Sequence, residues 1–447
     1  MLFQSPQFLL FFVIFAFGLY FIPKKWTKWF TIIASGFFYS AWYYPFILIL
    51  SILIVYSWIA CRIISKRQSL YPLFSIIALL PLIYYKYTGF LLNSVGLDAS
   101  IAPKGLPLGI SFITFTLISM MVDLGKSKKA AASFTDIALY ISYFPHLISG
   151  PILRSWQLIP QLNSLRISLA RFCYNLPLFT IGVIKKVLIA DMIAKYIDPI
   201  YANPSSYNST DLLIATFGFS IQLYCDFSAY TDMAIALAGT MGIHFPKNFK
   251  SPYLAISLTE YWRRWHITLS FWLRDYVFAP LHYRLRDKLP YTAIFFTMIV
   301  SGLWHGANWT FVLWGAVEGV IMMLESYTKY SQKVYESKWL KPFSIVSTFL
   351  IICFVNVILR SSSISNAWDQ YAGMVSLNFS QISYGGCSVI LLGILVLSFH
   401  HYDQADRICD SFKKIPKIFS VPILLGLIIG CCFLSASRPQ SFYYFDF

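Results

Sequence analysis

Residues 291–325 read YTAIFFTMIVSGLWHGANWTFVLWGAVEGVIMMLE, and this stretch decides the class of fold. As a single helix it would be about 52 Å long, whereas the hydrocarbon core of a bilayer is about 30 Å thick. The stretch is therefore either one long tilted helix or two pieces separated by a break. Irregular backbone at membrane depth is tolerated only where it is buried in protein or lines a cavity, so we expect a functional site here.

The composition extends the membrane prediction to the whole chain. Of its 447 residues, 57% are hydrophobic and only 12% are charged, whereas about 25% of the residues of a soluble domain are charged. The 40 Phe, 30 Tyr and 13 Trp fit two interfacial aromatic belts. We therefore predict an all-α polytopic membrane protein with a single domain over 1–447.

Further apolar runs approach the length of about 20 residues that a membrane span needs. The candidate spans are 7–22, 30–41, 44–60, 70–92, 105–122, 136–153, 173–195, 211–242, 291–325, 343–360, 384–400 and 418–435. The run 211–242, about 48 Å long as one helix, leaves the same two alternatives open as 291–325. No internal repeat is evident, which argues against an inverted-repeat transporter.

The charge distribution predicts the orientation. The net charge of +16 comes from short basic clusters between apolar runs, which fits the positive-inside bias and contact with membrane lipids rather than nucleic acid. The clusters expected in the cytoplasm are Arg62/Lys66/Arg67, Lys126/Lys128/Lys129, Lys185/Lys186, Arg284/Arg286/Lys288 and Arg407/Lys413/Lys414/Lys417. Since Lys24 follows the first apolar run, we expect an extracytoplasmic N-terminus. We expect no cleaved signal peptide, because no basic segment precedes this run and no small-residue cleavage site follows it. The segment 418–447 is expected to form the last span and an extracytoplasmic aromatic tail.

Residues 248–288 differ from the spans because tryptophans are mixed there with arginines and acids. This mixture is typical of interfacial or re-entrant helices, which we place on the cytoplasmic side. Arg263 and Arg264 have the chemistry to bind the phosphates of a nucleotide-bearing donor, and Arg274 is a further candidate. His266 lies in the same segment, although its amphipathic surroundings favour a structural role.

His305 lies inside the apolar stretch, between Trp304 and Gly306. An ionisable residue at membrane depth is costly and marks a functional site by default. Desolvation favours the neutral imidazole, which can act as a base, and the neighbouring glycines allow backbone or substrate to approach closely. A core histidine bonded to a carbonyl across a helix interface explains the pattern equally well, so the residue types alone leave both interpretations open.

The other polar residues in apolar runs have simpler interpretations. Asp226 and Asp232 could orient a histidine, but pairing with a buried arginine is the favoured role. His146, next to Pro145, leaves open a broken or re-entrant segment. The eight cysteines contain no CxxC pair and predict neither a zinc site nor a disulfide framework. No metal motif, GxSxG elbow, P-loop or GxGxxG stretch supports metal, serine hydrolase, ATPase or dinucleotide chemistry.

A series of sequence blocks runs nearly the whole length of the chain. They are LPLGISF (106–112), FPHLISGPI (144–152), KKVLIAD (185–191), DFSAYTDMA (226–234), NFKSPY (248–253), YWRRWHITLS (261–270) with WLRDY (272–276), and LWHGANWTFVLWG (303–315). Together they resemble the membrane-bound O-acyltransferases (MBOAT). The resemblance is to the bacterial branch of alginate, peptidoglycan and cellulose O-acetyltransferases and, more distantly, to the D-alanyl transfer protein of teichoic acid synthesis.

The resemblance implies that His305 is the catalytic histidine and His266 a second site histidine, with Trp304 and Asn308 in support. It implies a ring of about eleven or twelve transmembrane helices around a tunnel that opens to the cytoplasm. The implied activity carries an acetyl group from cytoplasmic acetyl-CoA, with no bound cofactor, to an extracytoplasmic polysaccharide. The implied location is the bacterial cytoplasmic (inner) membrane, with both termini outside and an extracytoplasmic SGNH-type acyltransferase as partner.

Two features refine this expectation. The tail FYYFDF (442–447) is an interfacial anchor by composition, whereas the resemblance implies that Tyr444 could accept the acyl group on its way to the partner. After Leu281 the chain reads HYRLR, where many alginate-type members carry GGNR, which favours peptidoglycan or another envelope glycan as acceptor. A D-alanyl transferase, a proton-coupled transporter or flippase, and a scaffold for envelope assembly are the alternative functions.

Overall fold

The computed structural model describes residues 1–127, 130–148, 150–286 and 288–437, and all regular structure in these ranges is helical. The helices are α1 Pro6–Phe21, α2 Thr27–Ser40, α3 Phe46–Lys66, α4 Tyr71–Leu82, α5 Thr88–Ser94, α6 Ile110–Gly125, α7 Phe134–Ser142, α8 Phe144–Leu147, α9 Ser155–Leu158, α10 Leu169–Ile184, α11 Asp191–Ala202, α12 Ser209–Thr240, α13 Leu258–Trp262, α14 Ile267–Leu273, α15 Ala279–Leu285, α16 Thr292–His305, α17 Trp309–Thr328, α18 Tyr330–Glu336, α19 Leu340–Arg360, α20 Ile364–Val375, α21 Tyr384–Phe399, α22 Ala405–Phe412 and α23 Lys417–Ser437. Wider π-helical turns join α4 to α5, α10 to α11 and α14 to α15.

Six helical stretches of the described residues are long and apolar enough to cross a membrane, judged by length and composition. They are Phe46–Lys66, Gln68–Ser94, Ser209–Thr240, Trp309–Thr328, Leu340–Arg360 and Lys417–Ser437. Four further apolar helices, α1, α6, α16 and α21, are shorter. The chain is thus an all-α polytopic membrane protein, as predicted. Within the described ranges, the stretches of full span length are fewer than the eleven or twelve spans that the resemblance implied.

The two overlong apolar runs fold differently. The run 211–242 is a single unbroken helix, α12, whereas 291–325 is split into α16 and α17 by the non-helical residues 306–308. The predicted span 136–153 is wrong, because α7 ends at Ser142 and only the short α8 follows. Pro145 has no N–H to continue the helical ladder, so the chain breaks next to His146.

Contacts divide the described chain into two compact units. The first comprises Met1–Thr180, Tyr230–Pro246 and 412–437. Its core contains a cluster of phenylalanines in which the ring of Phe144 lies 5.5 Å from that of Phe11 and 5.3 Å from that of Phe15.

His146, also in the first unit, is buried, and its Nε2 donates a hydrogen bond to the carbonyl oxygen of Tyr140 over 2.8 Å. It is therefore a satisfied core histidine.

The second unit comprises Ile181–Ala229 and Lys247–Ser411 and contains both histidines of interest. Its helices α16 and α17 pack backbone against backbone. A Cβ on Gly302 would lie 2.2 Å from the carbonyl oxygen of Phe311, and a Cβ on Gly315 would lie 2.3 Å from that of Met298. Only glycine fits at either position, so this helical pair forms a close-packed support for the break between its two members.

Candidate active site

His305 is the last residue of α16, and only 3% of it is exposed. Its Nδ1 lies 2.7 Å from the backbone carbonyl oxygen of Ser301, one turn earlier. A carbonyl oxygen can only accept, so in the neutral ring Nδ1 carries the proton and Nε2 carries the lone pair. The helix end thus fixes the tautomer in which Nε2 can take a proton from a hydroxyl group.

The break after His305 is stabilised by protein contacts. A Cβ on Gly306 would lie 2.1 Å from the ring of Phe311, so this glycine allows protein packing rather than substrate approach. Asn308 caps α17, because its Oδ1 accepts from the Thr310 N–H over 3.2 Å. The Asn308 Nδ2 donates to the carbonyl oxygen of Ser362 over 3.0 Å. Asn308 therefore supports the site by holding the break in shape.

Three tryptophan rings surround the imidazole of His305. The ring centroids of Trp304, Trp314 and Trp262 lie 4.9, 5.1 and 6.4 Å from that of His305. All three tryptophans are at least 95% buried. These buried aromatic rings give the imidazole an apolar environment that excludes water.

His266 is completely buried and has a left-handed backbone conformation, with φ 43° and ψ 52°. Its Nδ1 lies 3.3 Å from Oδ1 of Asn248. The same amide oxygen accepts from the backbone N–H of Thr268 over 3.1 Å, which identifies it as oxygen rather than nitrogen. His266 must therefore donate from Nδ1, and its Nε2 also carries a lone pair. Left-handed backbone at a non-glycine residue is costly and recurs at functional sites.

Trp304 connects the two histidines. Its ring centroid lies 5.6 Å from that of His266 and 4.9 Å from that of His305. His266 lies outside the six candidate spans, and its burial, followed by the charge of His305, lowers its pKa well below the usual range. The structure therefore brings the two predicted histidines into one site and keeps His266 neutral.

Glu318 is a candidate functional residue that was not predicted from the sequence. It lies on α17, is 1% exposed, and its Oε2 accepts a hydrogen bond of 2.8 Å from Nε1 of Trp262. Since Trp262 is one of the rings beside His305, Glu318 fixes part of the wall of the site. It could have been found by the criterion that selected His305, because it is an ionisable residue inside the apolar stretch 291–325.

Replacing Glu318 with alanine should lower both thermal stability and transfer activity. The change leaves the buried indole N–H of Trp262 without an acceptor, at a cost of about 1–3 kcal/mol. Glu318→Gln keeps an acceptor oxygen and should remain near wild type, as should alanine at the exposed Glu336. Thermal unfolding in detergent and an acyl-transfer assay check this. A glutamine variant as impaired as the alanine variant would show that the carboxyl group itself is required.

The three predicted donor-binding arginines are not equivalent. Arg263 and Arg274 are exposed, and Arg274 Nε lies 2.7 Å from Oδ1 of Asp275. Arg264 bonds one oxygen of Glu260 through Nε at 3.0 Å and Nη2 at 2.7 Å. Although burial raises it, hydrogen bonds from the Ile256 N–H and Arg264 hold the pKa of Glu260 below its usual range. Arg264 and Arg274 are therefore both engaged in ion pairs, and the donor-binding role of all three arginines stays a prediction.

The buried acid Asp226 pairs with a lysine, and not with the arginine that we expected. Lys186 Nζ lies 2.8 Å from Asp226 and 2.8 Å from Asp191. The side chain of Lys186 is 2% exposed and that of Lys185 7% exposed. These lysines therefore lie inside continuous helix and not in the predicted connection between helices, and their cytoplasmic side stays a prediction. They are interior ion-pair partners in the π-helical turn between α10 and α11, where removing one charge would leave the other buried and uncompensated.

The roles predicted for Asp232 and Tyr444 stay predictions. Asp232 is half-buried in the part of α12 that belongs to the first unit, and its supporting role remains a prediction. Tyr444 lies outside the described residues.

Comparison with known proteins decides the family. The family model described as MBOAT, membrane-bound O-acyltransferase family, matches residues 8–364, which include His266 and His305. The chain belongs to the membrane-bound O-acyltransferase family. As a member of this family it is a multi-pass membrane enzyme that transfers acyl groups to oxygen.

Related MBOAT proteins of three kinds are similar to the chain. A probable alginate O-acetylase AlgI of Azotobacter vinelandii is 35% identical over 90% of this chain and 85% of its own length. A peptidoglycan O-acetyltransferase of Helicobacter pylori is 30% identical over 99% and 91%. A teichoic acid D-alanyltransferase of Streptococcus thermophilus is 25% identical over 72% and 83%. The resemblance stated from the sequence blocks is confirmed.

Proposed function

We propose that this MBOAT protein transfers an acetyl group from cytoplasmic acetyl-CoA toward a hydroxyl group of an extracytoplasmic polysaccharide. The observation that carries the proposal is the His305 imidazole, buried among tryptophans with Nδ1 bonded to Ser301. That tautomer is the one a general base needs. Further support comes from relatives over most of the chain that are named as alginate and peptidoglycan acetyltransferases.

In the proposed reaction Nε2 of His305 accepts the proton of the attacking hydroxyl. A carbon–oxygen bond forms at the acyl carbon, the carbon–sulfur bond breaks, and the imidazolium returns the proton to the departing thiolate. General base catalysis of this kind contributes roughly 10² to 10⁴ in rate. The tryptophan walls exclude the water that would otherwise hydrolyse the thioester.

Positively charged side chains support coenzyme A as the carrier of the donor acyl group. Coenzyme A carries phosphates, and the exposed guanidinium groups of Arg263 and Arg274 are the candidates to bind them. Both lie in the segment 248–288, which also contains His266. Binding there would place the nucleotide part of the donor on the segment that holds the second histidine.

The acceptor and partner are proposed as classes. Both alginate and peptidoglycan enzymes are similar to the chain, at 35% and 30% identity, so either glycan fits. The sequence HYRLR after Leu281 favoured peptidoglycan over alginate as the acceptor, and this preference stays a hypothesis. Delivery would be completed in the cell envelope by an SGNH-type transferase, with this protein in the inner membrane and Tyr444 as the proposed carrier of the acyl group.

Mass spectrometry of envelope glycans from cells with and without this protein tests the proposal. We expect ester-linked acetyl groups on one glycan to disappear in the deletion strain and to return with the intact gene. The mass of the lost group distinguishes acetyl from D-alanyl, and the glycan that changes identifies the acceptor. An unchanged glycan profile together with lost proton-coupled uptake would support a transporter instead.

A further inference from the structure

Trp314 is a buried hydrogen-bond donor next to the proposed base. It is 3% exposed, and its ring centroid lies 5.1 Å from that of His305. Its Nε1 has no acceptor among the residues that the structure describes. A buried N–H without an acceptor costs about 1–3 kcal/mol, and such groups are rare in folded proteins, so this one needs an explanation.

The neighbouring Trp262 provides an internal comparison. Its ring centroid lies 5.9 Å from that of Trp314, and it too borders His305. Yet its indole N–H donates to Glu318, which is one turn beyond Trp314 on α17. The protein thus satisfies one of the two indole groups with a dedicated buried acid and leaves the other unsatisfied. Packing alone does not require this difference.

Two buried hydroxyl groups on α16 and α17 also lack a hydrogen-bond partner among the described residues. Ser301 lies one turn before His305 on α16, and Thr310 lies one turn before Trp314 on α17. Both side chains are fully buried, and neither hydroxyl oxygen has a hydrogen-bond partner among the described residues. A hydroxyl can donate or accept, whereas an indole N–H can only donate. The unsatisfied group on Trp314 can therefore be satisfied only by a hydrogen-bond acceptor.

We propose that Trp314 donates a hydrogen bond from Nε1 to the acyl carbonyl oxygen and stabilises the oxyanion that forms there. This inference rests on the proposed function. As the acceptor hydroxyl oxygen bonds to the acyl carbon, the carbonyl electron pair moves onto oxygen. It returns when the carbon–sulfur bond breaks, and the proton passes from the hydroxyl through His305 to the thiolate. A fixed donor in a water-excluded site stabilises the charge that develops during this step.

Trp314→Phe tests the proposal, because it removes the N–H and keeps an aromatic ring. We expect kcat to fall by about 10² to 10³, with KM for acetyl-CoA nearly unchanged, since the interaction strengthens in the transition state. Trp339→Phe, at a tryptophan that is 92% exposed, is the matched control and should leave both constants unchanged. A Trp314→Phe enzyme with wild-type kcat would overturn the assignment.

A spectroscopic measurement covers the case in which Trp314→Phe does not fold. Acetyl-CoA with a ¹³C-labelled carbonyl is bound to His305→Asn protein, and the infrared carbonyl stretch is recorded. With Trp314 intact the stretch should move to lower frequency than in water-free solvent, and an unshifted band would refute the hydrogen bond. Failure of the wild-type enzyme to turn over acetyl-CoA would instead refute the proposed donor, so the two failures are separable.

Discussion

Replacing His305 with alanine should abolish transfer of the acyl group while the protein still folds and inserts. The side chain is the proposed general base, and losing such a group lowers the rate by about 10² to 10⁴. The loss should appear in kcat, because the imidazole acts on the reacting proton rather than on binding of the donor. Release of coenzyme A from acetyl-CoA by purified protein, together with ester content of the glycan in cells, measures it.

His305→Asn separates catalysis from support of the fold. The asparagine amide can replace Nδ1 as donor to the Ser301 carbonyl, but it has no basic nitrogen. We expect this variant to match wild type in thermal stability and to match alanine in activity. The control variant is His244→Asn, which makes the same change at an exposed histidine and should retain activity. Full acetylation by His305→Asn would refute the base and return His305 to the core-histidine interpretation.

The membrane fold and the main histidine were predictable because both follow from the cost of burying polar groups. A histidine within 291–325 is conspicuous because the stretch is predominantly apolar, and its length left a tilted helix and a broken one both open until the structure showed the break at 306–308. By residue type alone, catalysis and core packing were equally consistent with His305. The order of the sequence blocks favoured catalysis through the resemblance to the family, and the family match confirmed that resemblance.

The partners in the site were not predictable, because they are long-range contacts. Nothing in the local pattern indicates that Trp262 donates to Glu318, or that Asn248 fixes the tautomer of His266. The same limit explains the error at Lys186. Adjacent lysines are usually exposed at a membrane surface, but a pair of acids distant in sequence or on the next helix can neutralise one of them in the interior.

Replacing His266 with asparagine should lower transfer by about 10² or more without loss of the fold. The change removes the ring that packs on Trp304 and a second basic nitrogen beside His305. Asparagine tolerates the left-handed backbone at φ 43°, whereas alanine would add strain there, so only the asparagine variant isolates the chemistry. Lys329→Asn is the matched control, because Lys329 has φ 52° and is exposed, and it should retain activity.

The same variant tests whether His266 is buried in the neutral form. In the unfolded chain a histidine titrates near pH 6.5, whereas burial and then the charge of His305 lower the pKa of His266 in the folded protein. Above about pH 6.5 His266 is neutral in both the folded and the unfolded protein, and below that pH it binds a proton only in the unfolded chain. Stability should then fall by up to about 1.4 kcal/mol per pH unit, and His266→Asn removes this contribution. As the pH is lowered from about 7 to about 5.5, the unfolding temperature of wild type should therefore decrease more steeply than that of His266→Asn. If the two unfolding temperatures decrease equally with pH, His266 takes up a proton in the folded enzyme, and the prediction is wrong.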